Sequence, residues 1–467
     1  MNPDNVERSQ AASRSRFIAK NAIVVGAGIA GLTAAEALAD WFERVTVLER
    51  DRMPDQAVPR PGTPQAWHVH GLLVGGMRAL EELFPHLGED LSRAGAVPIR
   101  ISQDLREEFA NRDPMPQRDF GMVAYTMTRA LLETTLKQRA MQRSNIVFRQ
   151  NLRVLGILAG PDGRRVTSVR FADAEEGSRE ETLPADLVVD ASGRGQLTIA
   201  SLQSMGRDVP DETEIGIDLG YTTAIMEMPD DAPVDWKVVL THANAPHSTR
   251  RGLIFPIEGH RWMMTAAGCG GDRPPGEWTA LLAFLRQFST PTIYNAVRNS
   301  TPIGRMARFG FPHSIWRHFE RLTDFPDGLI PIGDAFCRFN PIYGQGMTVA
   351  AKEACLLHRL LGARASEPDP VEGLGRAFLA EAGSLIETPW MMAAIPDFAY
   401  PHTSGKRPPD LENSLRFSKA LSRVAVRDAS VQKLANEVWH MLKPRSVLQD
   451  PAIMRQVEAE MTEMAGA

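Results

Sequence analysis

The sequence predicts an α/β chain: a discontinuous Rossmann-like nucleotide-binding domain (residues 17–203 and 318–366), an inserted antiparallel-sheet domain (204–317) and a C-terminal helical region (367–467). Three observations predict it. An all-apolar run at 22–25 leads straight into a Gly-rich turn and an Ala-rich helical stretch. Alternating β-rich segments follow residue 204, and the all-apolar strand pattern returns at 328–332.

Each part has a local reason. Residues 1–16 are rich in Asn, Ser, Arg and Gln and read as a disordered leader. Ala22 to Val25 is a short strand apolar on both faces, as parallel strands covered by helices are. Gly26-x-Gly28-x-x-Gly31 follows it and opens a helix through Leu38, and Arg44 to Glu49 reads as the second strand of a βαβ unit. A Pro-rich stretch from Met53 to Pro64 interrupts regularity before helical spacing resumes over Val69 to Leu83. Val123 to Thr126 is strand-like and Arg129 to Met141 helical; strands from Ile146 to Phe171 turn at Pro161-Asp162-Gly163, and Leu187 to Asp190 is another buried strand. Tyr221 to Met228, Trp236 to Leu240 and Gly252 to Ala267 suit the antiparallel insert. Met347 to Leu361 is a helix, and the helical tail carries interruptions near Pro396, Pro401 and Pro408.

Composition sets the outer bounds. Over 467 residues the chain is 43% hydrophobic and 23% charged with a net charge of −5, ordinary for a globular protein. Its Arg-rich patches are interleaved with acids, which argues against a nucleic-acid partner. Cys269, Cys337 and Cys355 are too few and too scattered for a disulfide framework, so a cytoplasmic location is expected. No stretch approaches the roughly 18 apolar residues of a spanning helix. HExxH, G-x-S-x-G and Walker sequences are absent, and no metal site is indicated.

The Gly-rich turn has a physical reading. Gly26 permits the tight turn, Gly28 lets a pyrophosphate approach the backbone, and Gly31 allows close helix–strand packing, while the helix N-terminus attracts the anion. Glu49 ends the next strand, where a carboxylate accepts from ribose hydroxyls. The expected nucleotide contacts here are Gly26, Gly28, Ile29, Ala30, Gly31, Glu49 and Arg50.

Gly333-Asp334-Ala335 followed by Asn340-Pro341-Ile342-Tyr343-Gly344-Gln345-Gly346-Met347 narrows the nucleotide to FAD. This segment resembles the signature of the flavoprotein monooxygenase superfamily, which includes aromatic hydroxylases and squalene-type epoxidases. The resemblance implies that Asp334 binds the ribityl chain and that Pro341, Gly344, Gln345, Gly346 and Met347 bring backbone amides to the flavin pyrimidine. A Gly-rich helix start there suits the negative charge of a reduced flavin. By the same resemblance Arg129 faces the cofactor and Val154 meets the adenine. Alone, Arg129 reads equally as a surface residue and Val154 as core.

Asp190-Ala191-Ser192-Gly193-Arg194 stands where aromatic hydroxylases carry a motif linked to FAD and NAD(P)H, and departs from it. Electrons therefore come either from NAD(P)H directly or through a separate flavin reductase. Gln65 to Leu73, Leu80 to Pro85, the Asp-Ala-Ser-Gly-Arg-Gly segment and Phe339 to Met347 together look like the bacterial polyether epoxidases that oxidise polyketide alkenes. That likeness implies transfer of one oxygen atom from a flavin hydroperoxide to an alkene of a hydrophobic substrate in secondary metabolism. Hydroxylation of an aromatic or polyketide ring is the alternative within the fold; a flavin-dependent alkene reductase or dehydrogenase, or an electron-carrying flavoprotein, would consume no oxygen. An alkene needs no general base, and no convincing base is visible in the sequence. His68, His70, Phe255, Trp262 and Tyr343 are the pocket candidates, each open to a purely structural reading, as are the apolar stretches around Met263 and Trp390.

Overall fold

The computed structural model describes residues 17–174, 179–233 and 235–466; the leader expected at 1–16 lies outside the described residues. The fold is α/β as predicted. A five-stranded parallel sheet runs in the order Leu329–Pro331, Leu187–Asp190, Ala19–Val25, Phe42–Leu48, Ile146–Arg149. Its central strands are apolar on both faces because both faces are covered, by helix Ile29–Ala39 and by the strands over 152–184: Ile23, Val24, Val188 and Val189 have no exposed surface. Full burial of each such side chain stabilises by roughly 1.5–3 kcal/mol.

Helix Ile29–Ala39 packs on this sheet and against helix Gly346–Arg364. The zero exposure of Ala34, Ala35 and Ala37 explains the Ala-rich sequence, since larger side chains would force the layers apart. Both helices begin at the carboxyl edge of the sheet.

The second sheet has seven strands, in the order Cys337–Arg338, Ala307–Arg317, Glu212–Glu227, Arg261–Cys269, Arg251–Ile257, Val238–Thr241, Leu105–Glu108. It is antiparallel except at one edge, where Leu105–Glu108 joins in parallel. That strand and Cys337–Arg338 come from outside the 204–317 interval, so the sheet reaches beyond the stretch in which its pattern is visible. Sequence proximity could not reveal these pairings. A strand pair Val97–Arg100 with Val123–Thr126 and a three-stranded meander over 152–184 complete the β structure.

Helix Leu374–Asp397 runs through Pro389 and also through Pro396, near which the sequence suggested an interruption. An interior proline costs about 3 kcal/mol, but this helix buries Phe378, Ile386, Trp390 and Ala394. The interruption comes only after Asp397. Three further helices, Leu411–Arg427, Ala429–Trp439 and Pro451–Gly466, share a small core of Ala420, Val424, Ala425, Val431 and Val457. Among the described residues no helix is long and apolar enough to cross a membrane, and no group of three or more His, Cys, Asp or Glu is placed to hold a metal ion.

Candidate flavin cleft

Four strand ends meet at the carboxyl edge of the parallel sheet: Gly26, Glu49, Asp190 and Gly333 each end or directly follow a strand there. This is the edge at which open α/β sheets bind ligands. The three turn glycines have separate reasons. Gly26 has φ +98°, and a Cβ on it would press on the Ala191 carbonyl oxygen at 2.7 Å. A Cβ on Gly31 would overlap the Gly26 carbonyl. On Gly28 it would meet only Arg129 Nη2, at 3.7 Å, so this glycine opens onto space. No side chain caps helix Ile29–Ala39, and its first-turn N–H groups remain available to an anion. An open Gly28 beside an uncapped helix start fits a pyrophosphate.

Glu49 is 5% exposed; Ala27 N–H donates to its Oε2 at 2.6 Å, and Asp51 N–H donates to its Oε1 at 2.9 Å. Its side chain thus stays at the turn. Three residues that the sequence reading missed complete a ring of charge here. Arg60 Nη1 lies 3.0 Å from both Glu49 and Asp51, Arg60 Nη2 donates to Ala27 O at 3.1 Å, and Arg60 Nε is 3.5 Å from Glu133. Burial disfavours the Arg60 charge, but Glu49, Glu133 and Asp51 outweigh it and hold the guanidinium protonated. Arg60 sits in an irregular Pro-rich stretch that gives no local signal. Glu133 had one, standing four residues after Arg129 on a helix face. Arg50 points away, its side chain 58% exposed.

Arg129 begins helix Arg129–Ala140, its Nε donating to Glu133 at 2.8 Å. Thr128 caps that helix by accepting from Leu131 N–H, and Thr128 is itself held by Glu258, which accepts from its N–H at 3.0 Å and its hydroxyl at 2.5 Å. Glu258 lies in the turn between Arg251–Ile257 and Arg261–Cys269, so the large sheet fixes where Arg129 stands. Val154 lies half-buried in strand Leu152–Ala159, whose first N–H donates to Glu49 O at 2.9 Å. The strand is therefore anchored beside the end of Phe42–Leu48.

The second motif joins the first. Gly333 has φ +63°, and a Cβ on it would stand 2.9 Å from the Ala30 Cβ. Residues some three hundred positions apart thus share one wall. Glu353 accepts from Gly333 N–H at 2.7 Å, and burial pushes its carboxyl up to about 8. Asp334 is accessible, yet protein crowds it enough that desolvation raises its pKa against the pull of Arg129, Arg338 and Arg317. Arg317 fixes the Asp334 backbone, donating to its carbonyl at 3.1 Å. Gly346, opening its helix without a side-chain cap, faces Asp334: a Cβ there would lie 3.9 Å from Oδ1. Gln345 is 1% exposed, and neither polar atom of its amide has a partner. Buried orphaned amide atoms at an open helix start fit a polar heterocycle such as the flavin pyrimidine. Pro341 is exposed, whereas Met347 is buried.

The pocket candidates divide. Gly344, at φ +67°, abuts Gly71 O at 3.2 Å from its would-be Cβ, and Gly71 in turn faces the Phe255 ring at 3.6 Å. Phe255 therefore stands where the flavin loop meets the large sheet. His68 is 3% exposed, with Nδ1 2.7 Å from Thr223 Oγ1 and its ring against Tyr221 and Phe309; burial lowers its pKa to about 4. His70, Nδ1 2.8 Å from His68 O, is lowered to about 3 by burial and then by Arg129. Tyr343 donates to Asp397 Oδ1 at 2.7 Å, and Asn340 Nδ2 donates to both Asp397 oxygens at 3.0 Å. Trp262 is not brought to the cleft. Strand alternation turns it to the other face of the sheet, where it stacks on Trp236 and packs with Met226, Ile254 and Leu281; Met263 points inward instead.

The FAD binding domain family model matches residues 20–374. The chain is 32% identical over 414 residues to Protein Rv3254 of Mycobacterium tuberculosis (strain ATCC 25618 / H37Rv), covering 83% of this chain and 82% of that one. It is 26% identical over 359 residues to squalene monooxygenase of Mus musculus, covering 73% of this chain but only 54% of the enzyme, so it spans about half the length of that relative. Among solved structures, a flavoprotein/dehydrogenase from Cytophaga hutchinsonii shares the fold, with a TM-score of 0.67 at 14% identity over 96% of this chain and 100% of that one. With the motifs, the cleft and these likenesses in agreement, the chain belongs to the FAD binding domain family.

Proposed function

We propose that this protein transfers one oxygen atom to the double bond of a hydrophobic substrate, giving an epoxide. When bound and reduced, FAD supplies the activation of oxygen. The chain supplies the rest. Gly28 and the start of helix Ile29–Ala39 receive the pyrophosphate, Glu49 the adenosine ribose, Arg129 the phosphates, Val154 the adenine surface and Asp334 the ribityl hydroxyls. Gln345, Gly346 and Met347 face the pyrimidine edge, where N–H dipoles favour negative charge.

The observation that favours epoxidation over ring hydroxylation is that neither imidazole among the pocket candidates is poised as a base. His68 and His70, which stand beside the Gly71–Gly344 contact in sequence, are depressed to about 4 and about 3 by burial. Asp397 is already occupied by Asn340 and Tyr343. Deprotonation of a phenol gains from a base poised near neutral pH, whereas an electron-rich alkene needs none. Leu253, Phe255 and Met263 on the inward face offer an apolar lining that keeps water away, and the likeness to squalene monooxygenase supports the same class.

Electrons enter from NAD(P)H directly or through a separate flavin reductase. Asp190, at the departed motif, has both oxygens engaged by Ser192 N–H and by Thr198. Its role there is to hold the loop.

Turnover under labelled oxygen with mass spectrometry of the product tests the proposal. One labelled atom with loss of the double bond is expected. A labelled product that keeps the double bond identifies ring hydroxylation, and a reduced, unlabelled product removes oxygen transfer altogether.

A further inference from the structure

The inward face of the large sheet carries an arginine, Arg251, that among the described residues has no carboxylate in direct contact. Cross-strand pairing sets Arg251 opposite Ala267, Ala267 opposite Tyr221 and Tyr221 opposite Phe309, so these four form one row on the face that also bears Phe255. Arg251 Nη2 lies 3.2 Å from Tyr400 Oη, and its Nε is buried without a partner. Among the described residues no carboxylate comes within 4.0 Å of the guanidinium. Asp397 contributes to its field, but its oxygens accept from Tyr343 and Asn340. In the same row Tyr221, 8% exposed, has a buried hydroxyl with no partner. A guanidinium with an unpartnered Nε and no directly bonded carboxylate, and an unsatisfied phenol on the same face, are each improved by a ligand that completes both.

We propose that Arg251 and Tyr221 form the binding subsite for a carboxylate on the substrate, an assignment that rests on this face being the substrate face. A guanidinium fork matches the planar pair of carboxylate oxygens, and a phenol O–H donates to one of them. The neighbouring Asp397 selects a monoanion over a phosphate dianion, because a second negative charge would meet it. Its own carboxyl is pushed up to about 6 by burial, which lessens that repulsion toward a single charge. From Arg251 the same-face residues Leu253 and Phe255 lead to the Gly71–Gly344 contact at the flavin loop. Four residues of strand span roughly 13 Å, the reach of a medium-chain alkenoate. The acid end would hold the chain in register, with the double bond presented at the flavin.

The test uses the FAD-loaded protein and two probes, dec-9-enoate and its methyl ester, titrated by flavin difference absorbance. Wild type is expected to bind the acid more tightly by about tenfold or more. Arg251→Gln should abolish that preference while leaving ester affinity and the flavin spectrum unchanged, Arg251→Lys should restore part of it, and Tyr221→Phe should weaken it. Equal binding of the two probes by wild type, binding of neither, or a preference that survives Arg251→Gln would overturn the subsite. Should Arg251→Gln fail to retain flavin, an unchanged preference in Tyr221→Phe overturns it instead. A carboxylate preference without labelled oxygen in the product leaves the subsite standing and removes the oxygen-transfer reading.

Discussion

Gly26, Gly28 and Gly31 look alike in a motif and differ in what a methyl group would meet. The clash at Gly31 is with backbone and has no flexible end to move, so Gly31→Ala is expected to lower stability by 3 kcal/mol or about that, measured by denaturant unfolding of the apoprotein. Asp334→Ala leaves packing intact because the side chain is accessible; it should weaken FAD retention and bleach the purified protein. A variant that stays fully yellow contradicts the ribityl role. His68 is held neutral by burial, with a folded pKa near 4 against 6.5 unfolded. Its contribution is fully present above pH 6.5 and is lost as pH falls through 4. The loss comes to roughly 2–3 kcal/mol at pH 4.5. His68→Gln should therefore flatten the pH dependence of unfolding between 7 and 4.5, and an unchanged slope would show that the imidazole titrates normally. At this scale the sequence was most legible where a residue acts through backbone geometry. It was least legible for Arg60, which sits in an irregular Pro-rich stretch, and for Arg251 and Asp397, whose partners lie far along the chain.

Elements carry the site by holding one another. Helix Arg129–Ala140 owes its start to Thr128 and Glu258, an acid supplied by a hairpin turn of the other sheet. Glu258→Ala is expected to destabilise by about 1–2 kcal/mol through the lost cap support and to weaken FAD affinity through Arg129. Unchanged affinity would mean that Arg129 is positioned by Glu133 alone. Strands apolar on both faces and the Ala-rich helix were readable because their local pattern is dictated by burial. The passage of helix Leu374–Asp397 through two prolines was not, since its packing against Trp316 and Phe339 overrides local propensity. Trp262 was misjudged for a related reason: one step of strand alternation decides which face it serves.

Across the whole molecule, a cleft at the edge of the parallel sheet opens onto the inward face of the seven-stranded sheet, with the flavin loop as the seam. The edge strands Leu105–Glu108 and Cys337–Arg338 bind the two layers together and were invisible in the sequence, as long-range pairings leave no periodic trace. A surface groove of about 580 Å³ lined by Gly75, Lys352, Cys355 and Arg359 involves none of the motif residues and has no part in this account. The proposed function requires that the turn at Gly28 and the loop from Gly333 to Met347 grip one FAD. Equilibrium FAD affinity of Gly28→Val against wild type tests this most directly, because a Cβ there meets only Arg129 Nη2, at 3.7 Å, and the fold should survive. The account predicts a loss of about a hundredfold or more in affinity with the unfolding midpoint of the apoprotein unchanged; undiminished affinity in the folded variant would contradict it.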